Sequence, residues 1–489
     1  MVNRIKIIFS TPKAYIFISL FVLIIIFMIS PDSYTHFSWN RCDSAWFFIC
    51  GKAWMNGMIP YVDFADSKGP LLWLIYGIGY LLSPDTYHGV FWISWIFYSV
   101  TFFYFYKSVR IFFSNEKLAL IGVCLIGLFY FYYGYHYETR AEDFCLTFMA
   151  MALFHSLSII VNDRLSVAEL KKRSLMLGIA FGACLMIKFT LALMVGMMML
   201  CIFITCIKRQ NGTENLLFMI LGALIMCVPF IVYLGITGAL IPMIQEYFIN
   251  TSVITSGITS VSKDLSLLVT CKKRWIVIVF LAFSATKVVR KPFGWFPLIT
   301  SAVILMISLM HSIEDYYLTV NALTSYYLVI YVLSVILKKW ESKSFPICFI
   351  PVSALSVIIL TALTHFMLGN HSNLYLNKEL NDEYESFTLP IKDLPSNKLV
   401  NIGCENGFGI EYGTLPGCKY WARQNGASES MIEDQINAIE NRIPDVVIWT
   451  TSLLPDTRPY DEILTNSGYV VKTSYLLEGK YPTYLYIRE

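Results

Sequence analysis

The sequence predicts a polytopic α-helical membrane protein that ends in a small α/β domain. Of its 489 residues, 56% are hydrophobic and only 15% are charged, and the mean hydropathy is +0.59. This composition is too apolar for a soluble protein of such length. The apolar residues also fall into separate runs of roughly 15 to 22 residues, the length of helix that crosses a hydrocarbon core about 30 Å thick.

These runs lie within residues 1–366 and predict about eleven transmembrane helices. The first helix ends without a small-residue cleavage site, so we expect it to remain as an anchor. The predicted spans are 14–30, 89–106, 118–134, 144–161, 174–188, 190–207, 215–236, 274–287, 295–311, 316–337 and 346–366.

The distribution of basic residues predicts the orientation. Lys and Arg are concentrated in the alternate short loops that a cytoplasmic N-terminus would place inside, such as Lys171, Lys172 and Arg173. Cytoplasmic loops retain such residues, so we expect the N-terminus inside and residues 367–489 outside. The expected location is the inner (plasma) membrane of a bacterium, with the C-terminal domain periplasmic or extracellular.

Residues 31–88 form a long loop on the outer side. The stretch 44–57, "SAWFFICGKAWMNG", has Trp46 and Trp54 at helical spacing with Lys52 opposite, which predicts a short helix lying in the membrane interface. The following "GPLLWLIYGIGYLL" predicts a half-buried helix too short to span.

The C-terminal segment, residues 367–489, is soluble in character and carries a net charge of −7. It reads as a strand ("KLVNIG"), an amphipathic helix with a serine cap ("SESMIEDQINAIENRI"), a buried strand ("PDVVIWT") and a terminal hairpin ("YVVKTSYLL" with "TYLYIRE"). A small α/β domain is the simplest assembly of these pieces. Its Cys404 and Cys418 flank a Gly-rich loop and form a candidate disulfide in an oxidising compartment.

Charged residues gather in three segments at the outer membrane face. They are Asp43 after the first helix, the group Asp63, Asp66 and Lys68 in "YVDFADSKGPLLW", and the group Glu138, Arg140, Glu142 and Asp143 in "YHYETRAEDF". Unpaired charges beside hydrocarbon cost several kcal/mol, roughly, so such residues usually have a partner or a substrate. A solvated membrane turn explains any one of them alone, whereas the set together favours a site.

Carboxylates among cations at a membrane surface suit one kind of chemistry. Arg and Lys bind a lipid-linked phosphate, and a carboxylate can take the proton of an acceptor hydroxyl as that hydroxyl attacks a sugar carbon. These residues therefore predict glycosyl transfer from a polyprenyl-phosphate sugar, with Lys68 and Arg140 binding the donor phosphate.

The same segments resemble a known superfamily. An acid in the first outer loop, the run "GMIPYVDFADSKGP" and the acidic loop "ETRAEDF" are similar to the GT-C glycosyltransferases, in particular the branch with protein O-mannosyltransferases and the aminoarabinose transferase of lipid A. The resemblance implies a GT-C membrane fold, Asp43 as general base or acceptor-orienting carboxylate, Lys68 on the donor phosphate, and Glu142 or Asp143 as the second acid. Asp66 is a further candidate base. Ser44 departs from the paired acids of the mannosyltransferases.

Other residues are weaker candidates. Asp315 in "HSIEDYY" could close the site from the second half of the chain, and Lys188 could reach either outward or to the phosphate. His136 with Glu138 and Glu142 offers three ligands for a divalent cation, the one cofactor that the sequence suggests.

We therefore expect an inverting glycosyltransferase with a transmembrane module (1–366) and a soluble domain (367–489). Its partners would be a polyprenyl-phosphate sugar, a glycan, lipid or protein acceptor, and membrane lipid, but no nucleic acid. A transporter or flippase would instead predict ionisable residues at mid-membrane and repeated broken helices. A polysaccharide polymerase or ligase shares the chemistry but usually centres on a large late loop.

Overall fold

The computed structural model describes most of the N-terminal half of the chain and most of its C-terminal segment. The described residues are 12–34, 43–133, 139–209, 212–251, scattered helical positions between 296 and 333, and 378–394, 396–403, 408–422, 428–451, 458–477 and 480–489.

The described residues up to 251 are mostly helical. Five of these helices, α1, α4, α6, α8 and α9, are long and apolar enough to cross a membrane, and the chain is an integral membrane protein. The helices are α1 (Pro12–Ile29), α2 (Asp43–Met55), α3 (Pro70–Leu82), α4 (His88–Phe112), α5 (Glu116–Tyr133), α6 (Ala141–Val161), α7 (Val167–Ile187), α8 (Phe189–Lys208), α9 (Gly212–Ile236) and α10 (Leu240–Met243), which continues as a π-helix (Ile244–Asn250).

The first seven predicted spans each coincide with a helix, namely α1 and α4 to α9. The spans predicted at 274–287 and 346–366 lie outside the described residues, as do most positions of those at 295–311 and 316–337. The count of eleven therefore stays a prediction.

Small residues set the packing of α7 against α9. A Cβ atom on Gly178 would lie 1.9 Å from the carbonyl oxygen of Met219, so only glycine allows the two backbones to approach this closely. Membrane helices commonly pack through such small residues, because lipid provides no hydrophobic force that would drive helices together.

The C-terminal residues form a mixed five-stranded sheet in the order β2-β1-β3-β5-β4. Strand β1 is parallel to both β2 and β3, whereas β5 runs antiparallel to both β3 and β4. The elements are α11 (Lys378–Thr388), β1 (Lys398–Ile402), β2 (Leu415–Pro416), α12 (Glu429–Glu440), β3 (Val446–Thr450), α13 (Tyr460–Asn466), β4 (Tyr469–Leu477) and β5 (Tyr481–Arg488), with single 3₁₀ turns at Leu389–Ile391 and Ile410–Tyr412. The predicted strands, helix and hairpin are all present.

The two faces of the sheet bury different cores. Side chains alternate along a strand, so Leu399, Val446 and Ile448 join the hydrophobic cluster that includes the membrane helices. Val400 and Val447 point the other way, into a smaller cluster beneath α12 and α13. The inner face of the sheet is thus packed directly against the helical part of the chain.

This packing corrects the interpretation of residues 44–57 as a helix lying in the interface. The helix α2 exists, but Ser44–Ala53 are all buried, including Lys52, which was expected on a polar face. Helix α3 covers one side of α2 and the C-terminal sheet covers another, where Trp46 contacts Trp421 with ring centroids 5.5 Å apart. The sequence around α2 cannot show a cover supplied by residues far along the chain.

Candidate active site

The loop between α2 and α3 is held in shape by its own side chains. The Asp63 carboxylate accepts a hydrogen bond from the backbone N–H of Ile59 at 2.6 Å. Tyr61, with a left-handed φ of 66°, donates its backbone N–H to the carbonyl of Phe64 at 2.7 Å and its hydroxyl to the carbonyl of Lys68 at 2.8 Å. The structure therefore uses Asp63, a candidate site residue, to fix the turn that presents Asp66 and Lys68.

The Lys-Gly-Pro sequence brings this loop against the end of α7. The backbone N–H of Gly69 donates to the carbonyl of Ile187 at 3.0 Å, and a Cβ atom on Gly69 would lie only 2.1 Å from the carbonyl oxygen of Met186. Pro70 then begins α3, where its missing N–H is not needed. Glycine is required here for close approach, which brings Lys68 near the α7–α8 junction.

A buried ion pair occupies that junction. Lys188, between α7 and α8, donates to the Glu142 carboxylate in the first turn of α6, and the two side chains are 9% and 2% exposed. The Lys68 ammonium also lies close enough to Glu142 to interact with it electrostatically. Two lysines from separate segments thus flank one buried carboxylate.

Lys68 is further positioned by its neighbours. Its ammonium donates to the Ser67 hydroxyl at 3.0 Å and lies 5.5 Å from the centroid of the Phe47 ring. Asp66, 7% exposed, accepts from the backbone N–H of Ser67 at 2.5 Å and from its hydroxyl at 3.2 Å.

A second contact joins the first loop to the third. The Nε atom of Arg140 lies 3.9 Å from the Asp43 carboxylate at the start of α2. Asp43 is 31% exposed, more than Arg140 at 14%. The structure therefore brings together two predicted site residues that are almost a hundred positions apart, and the Asp43 side chain remains partly exposed.

The adjacent acid, Asp143, caps α6. Its carboxylate accepts the backbone N–H of Arg140 at 2.8 Å and the hydroxyl of Tyr130. This contact fixes the backbone that carries Arg140. Asp143, the alternative second acid, therefore positions Arg140 in the structure, whereas Glu142 faces the two lysines.

Two kinds of known protein resemble this chain. A family model described as dolichyl-phosphate-mannose-protein mannosyltransferase matches residues 67–233, which include Lys68, Arg140, Glu142 and Lys188. The crystal structure of ArnT from Cupriavidus metallidurans bound to undecaprenyl phosphate is similar over 97% of this chain and 98% of its own, with a TM-score of 0.62 and 11% identity. The resemblance to the GT-C superfamily is confirmed.

A more distant GT-C structure is also similar. The Archaeoglobus fulgidus oligosaccharyltransferase tethered with an acceptor peptide matches over 98% of this chain and 74% of its own, with a TM-score of 0.50 and 12% identity. No curated protein sequence matches the chain. At these identities the structural similarities establish the GT-C fold, and the chemistry has to be argued from the residues.

Some of the predicted site residues fall outside the described ranges. Glu138, Asp315 and His136 are among them, so the divalent cation site proposed for His136, Glu138 and Glu142 stays a prediction. Among the described residues, no group of three His, Cys, Asp or Glu side chains could hold a metal ion. Cys404 also lies outside them, so its disulfide with Cys418 stays a prediction.

The structure adds a buried carboxylate that the sequence analysis missed. Glu246, 6% exposed and in the π-helix after α9, accepts from Lys419 at 2.6 Å, from the Tyr420 hydroxyl at 2.5 Å and from Asn250 at 2.9 Å. Burial, together with the neighbouring Glu246 carboxylate, raises the pKa of Tyr420, so its hydroxyl stays protonated as a donor. The signal was a lone acid in the apolar "IPMIQEYF".

This contact ties the C-terminal sheet to the site loop. The carbonyl of Lys419 accepts the backbone N–H of Ala65 at 2.9 Å, one residue before Asp66. Next to Glu246, the Tyr247 hydroxyl donates to the carbonyl of Leu185 at 2.8 Å, near the end of α7. The loop that carries Lys68 is thus held from the membrane side and from the sheet side.

Proposed function

We propose that this protein transfers a sugar from a polyprenyl-phosphate donor to an acceptor hydroxyl at the membrane surface. The observation that carries the proposal is the convergence of Lys68, Arg140 and Lys188 with the partly exposed Asp43 around one end of the apolar helices. Cations at this depth suit a lipid-linked phosphate, and the GT-C fold of ArnT, whose structure holds undecaprenyl phosphate, supports the same donor class.

The residues divide the reaction between them. Asp43 takes the proton of the acceptor hydroxyl, whose oxygen attacks the anomeric carbon of the sugar. The bond from that carbon to the phosphate oxygen breaks, and the polyprenyl phosphate leaves with the electron pair. Lys68 and Arg140 stabilise the developing phosphate charge, while Glu142 keeps Lys188 charged and in place. A single displacement of this kind inverts the anomeric centre.

Localisation and acceptor are further parts of the proposal. We place the site and the C-terminal domain (367–489) on the outer face of a bacterial inner membrane, with the N-terminus cytoplasmic, because basic residues concentrate in the opposite loops. An envelope glycan or lipid is the proposed acceptor, and a protein is the second choice because Ser44 replaces a paired acid.

A transporter is the second class of function. It would place ionisable residues near the middle of its spans. In the described helices, Glu142 and Asp143 lie in the first turn of α6, and Lys188 lies between two helices. Charges at helix ends favour surface chemistry over a conduction pathway.

Asp43→Asn is the test. Asn keeps the size of Asp but cannot accept the hydroxyl proton, so we expect transfer to slow by about 10²–10⁴. Cells lacking the gene would be complemented with wild type or variant, and polyprenyl-phosphate sugars and surface glycans compared by mass spectrometry. The donor sugar should accumulate in cells with Asp43→Asn, as it should in cells without the gene.

The matched control is Asp393→Asn, which removes an exposed carboxylate on the C-terminal segment and should leave the profile unchanged. Near-normal glycans with Asp43→Asn would move the base to Asp66 or Glu142. An identical lipid profile with and without the gene would overturn the proposed function itself.

A further inference from the structure

A cluster of cations lies at the far end of the same helices, away from the candidate active site. The Lys107 ammonium of α4 is 4.6 Å from the centroid of the Phe154 ring on α6, and the Arg173 guanidinium of α7 is 5.5 Å from that ring. Tyr104 also contacts Lys107, at 5.0 Å. From Glu142 to Phe154 the axis of α6 runs about 18 Å at 1.5 Å per residue, so the cluster and the active site lie at opposite ends.

The cluster holds three positive charges and no salt bridge among the described residues; a nearby acid, Glu169, acts on Arg173 only electrostatically. Lys172 and Arg173 both lie close enough to Lys107 to repel its charge. Within the described part of the chain, no carboxylate is in ion-pair distance of any of the three. Like charges held together in this way are unfavourable unless an anion joins them.

The hydrogen bonds and salt bridges of the two neighbouring acids go to other residues, although Glu169 also acts electrostatically on Arg173. Glu169, one turn before Arg173, forms a capping box with Ser166, with both distances from its carboxylate at 3.3 Å. Glu214 pairs with Lys171 at 3.0 Å. The fold thus neutralises Lys171 and leaves the next two basic residues facing outward and toward Phe154.

Buried polar atoms beside the rings also lack partners. The Nε atom of Arg173 and both ring nitrogens of His155 make no hydrogen bond, and His155 is 7% exposed. The aromatic faces offset part of the cost of holding the cations, at about 0.5–2 kcal/mol for such a contact in general. An anionic group with several acceptor oxygens would balance the positive charges and accept hydrogen bonds from the Arg173 guanidinium.

We propose that Lys107, Lys172 and Arg173 bind the phosphate of an anionic lipid headgroup. The depth fits a headgroup, because Lys107 lies in the last two turns of α4, one of the five spanning helices, and Arg173 in α7 contacts the far end of α6, another of them. Basic pockets between such helices are suited to lipid phosphates. The site is separate from the proposed transfer reaction and does not depend on it.

The test is a thermal-shift titration of the full-length protein in detergent with short-chain phosphatidylglycerol. Phosphatidylcholine of the same chain length and inorganic phosphate are the two comparison ligands. We expect phosphatidylglycerol to stabilise wild type, and Arg173→Met or Lys107→Met to weaken its binding about fivefold each, from about 1 kcal/mol per basic residue at a membrane surface. Arg173→Lys, which keeps the charge, should retain most of the binding if Arg173→Met folds poorly.

Lys171→Met is the matched control, since it removes a neighbouring charge that Glu214 already neutralises. It should leave the binding of phosphatidylglycerol nearly unchanged. An equal loss in Lys171→Met and Arg173→Met would show general attraction to a basic surface and would overturn the site. Equal stabilisation by phosphatidylcholine would also overturn it, and saturation by inorganic phosphate alone would replace the lipid with a soluble phosphate.

Discussion

The charged residues at the two ends of α6 have different kinds of partner. At its beginning, Glu142 is buried against Lys188, and Arg140 lies beside Asp43. Near its other end, Lys107 and Arg173 lie against the ring of Phe154, and neither forms a salt bridge with a described carboxylate. The first end pairs its cations with carboxylates, whereas the second places its cations against an aromatic ring.

The largest effect on stability should come from breaking the buried ion pair between Lys188 and Glu142 at the beginning of α6. Lys188→Met leaves the Glu142 carboxylate buried beside apolar helices, and removing one partner of a buried pair costs about 3–5 kcal/mol. We expect a large loss of thermal stability in detergent. Lys188→Met with Glu142→Gln together should recover much of it, because no uncompensated charge remains.

The exposed pair Lys171–Glu214, with side chains 32% and 59% exposed, is the control. Lys171→Met should cost at most about 1 kcal/mol, as is usual for pairs in solvent. Equal losses in Lys188→Met and Lys171→Met would show that burial does not distinguish the two ends.

An intermediate effect, on the stability of the loop between α2 and α3, should come from the contact of Glu246 with Lys419 and Tyr420. Glu246→Gln removes the charge that Lys419 and Tyr420 bind, and hydrogen bonds to charged groups are worth about 1.5–3 kcal/mol. Because the carbonyl of Lys419 accepts the N–H of Ala65, that amide should exchange with deuterium about tenfold faster or more.

The exposed ion pair between Lys472 and Glu489 offers a matched change in the same sheet. Lys472→Met should leave the exchange of the Ala65 amide unaltered. If Glu246→Gln also leaves it unaltered, the sheet does not hold the loop through this carboxylate.

Sequence patterns predicted the positions of the helices well but did not predict the side-chain contacts between them. Apolar runs of spanning length predicted α1 and α4 to α9, and alternation predicted β1, β3 and the hairpin. The charged loops pointed to Asp43 and Arg140, which the structure brings together. The pairing of Lys188 with Glu142 was not specified, because nothing in a local pattern links positions on two different helices.

The burial of α2 by the C-terminal segment likewise could not be predicted from the local sequence. Lys52 was expected on a polar face, and local spacing supported that expectation. Its burial comes from the 3₁₀ turn Ile410–Tyr412, where the Ile410 carbonyl accepts the Lys52 ammonium at 3.3 Å. A cap such as that of Asp143 on Arg140 is likewise invisible until the helix start is known.

The smallest expected effect is a pH dependence of stability that comes from Glu411 and Lys52, which lie near each other without forming a salt bridge. Burial raises the pKa of Glu411 from 4.5 to about 7, against smaller opposing contributions from hydrogen bonds with Thr388 and the backbone. Burial lowers the pKa of Lys52 from 10.5 to about 8, although Asp85 and Glu411 oppose this shift. Both residues lie where the C-terminal sheet meets α2, so their titration should change how firmly the two parts hold together.

The signs of the two contributions differ. Folded Glu411 binds its proton more tightly than the unfolded chain does, so its contribution to stability is full below pH 4.5 and is lost as the pH rises to about 7. Folded Lys52 binds its proton less tightly, so stability gained above pH 10.5 is lost as the pH falls to about 8. Glu411→Gln should therefore flatten the fall in melting temperature between pH 5 and 7, whereas the exposed Glu433→Gln should keep it. If the melting temperature of Glu411→Gln falls with pH as steeply as that of the wild type, this buried carboxyl does not set the pH response of the interface. The contrast between paired and unpaired charges would then apply to the membrane helices but not to the contact between α2 and the C-terminal sheet.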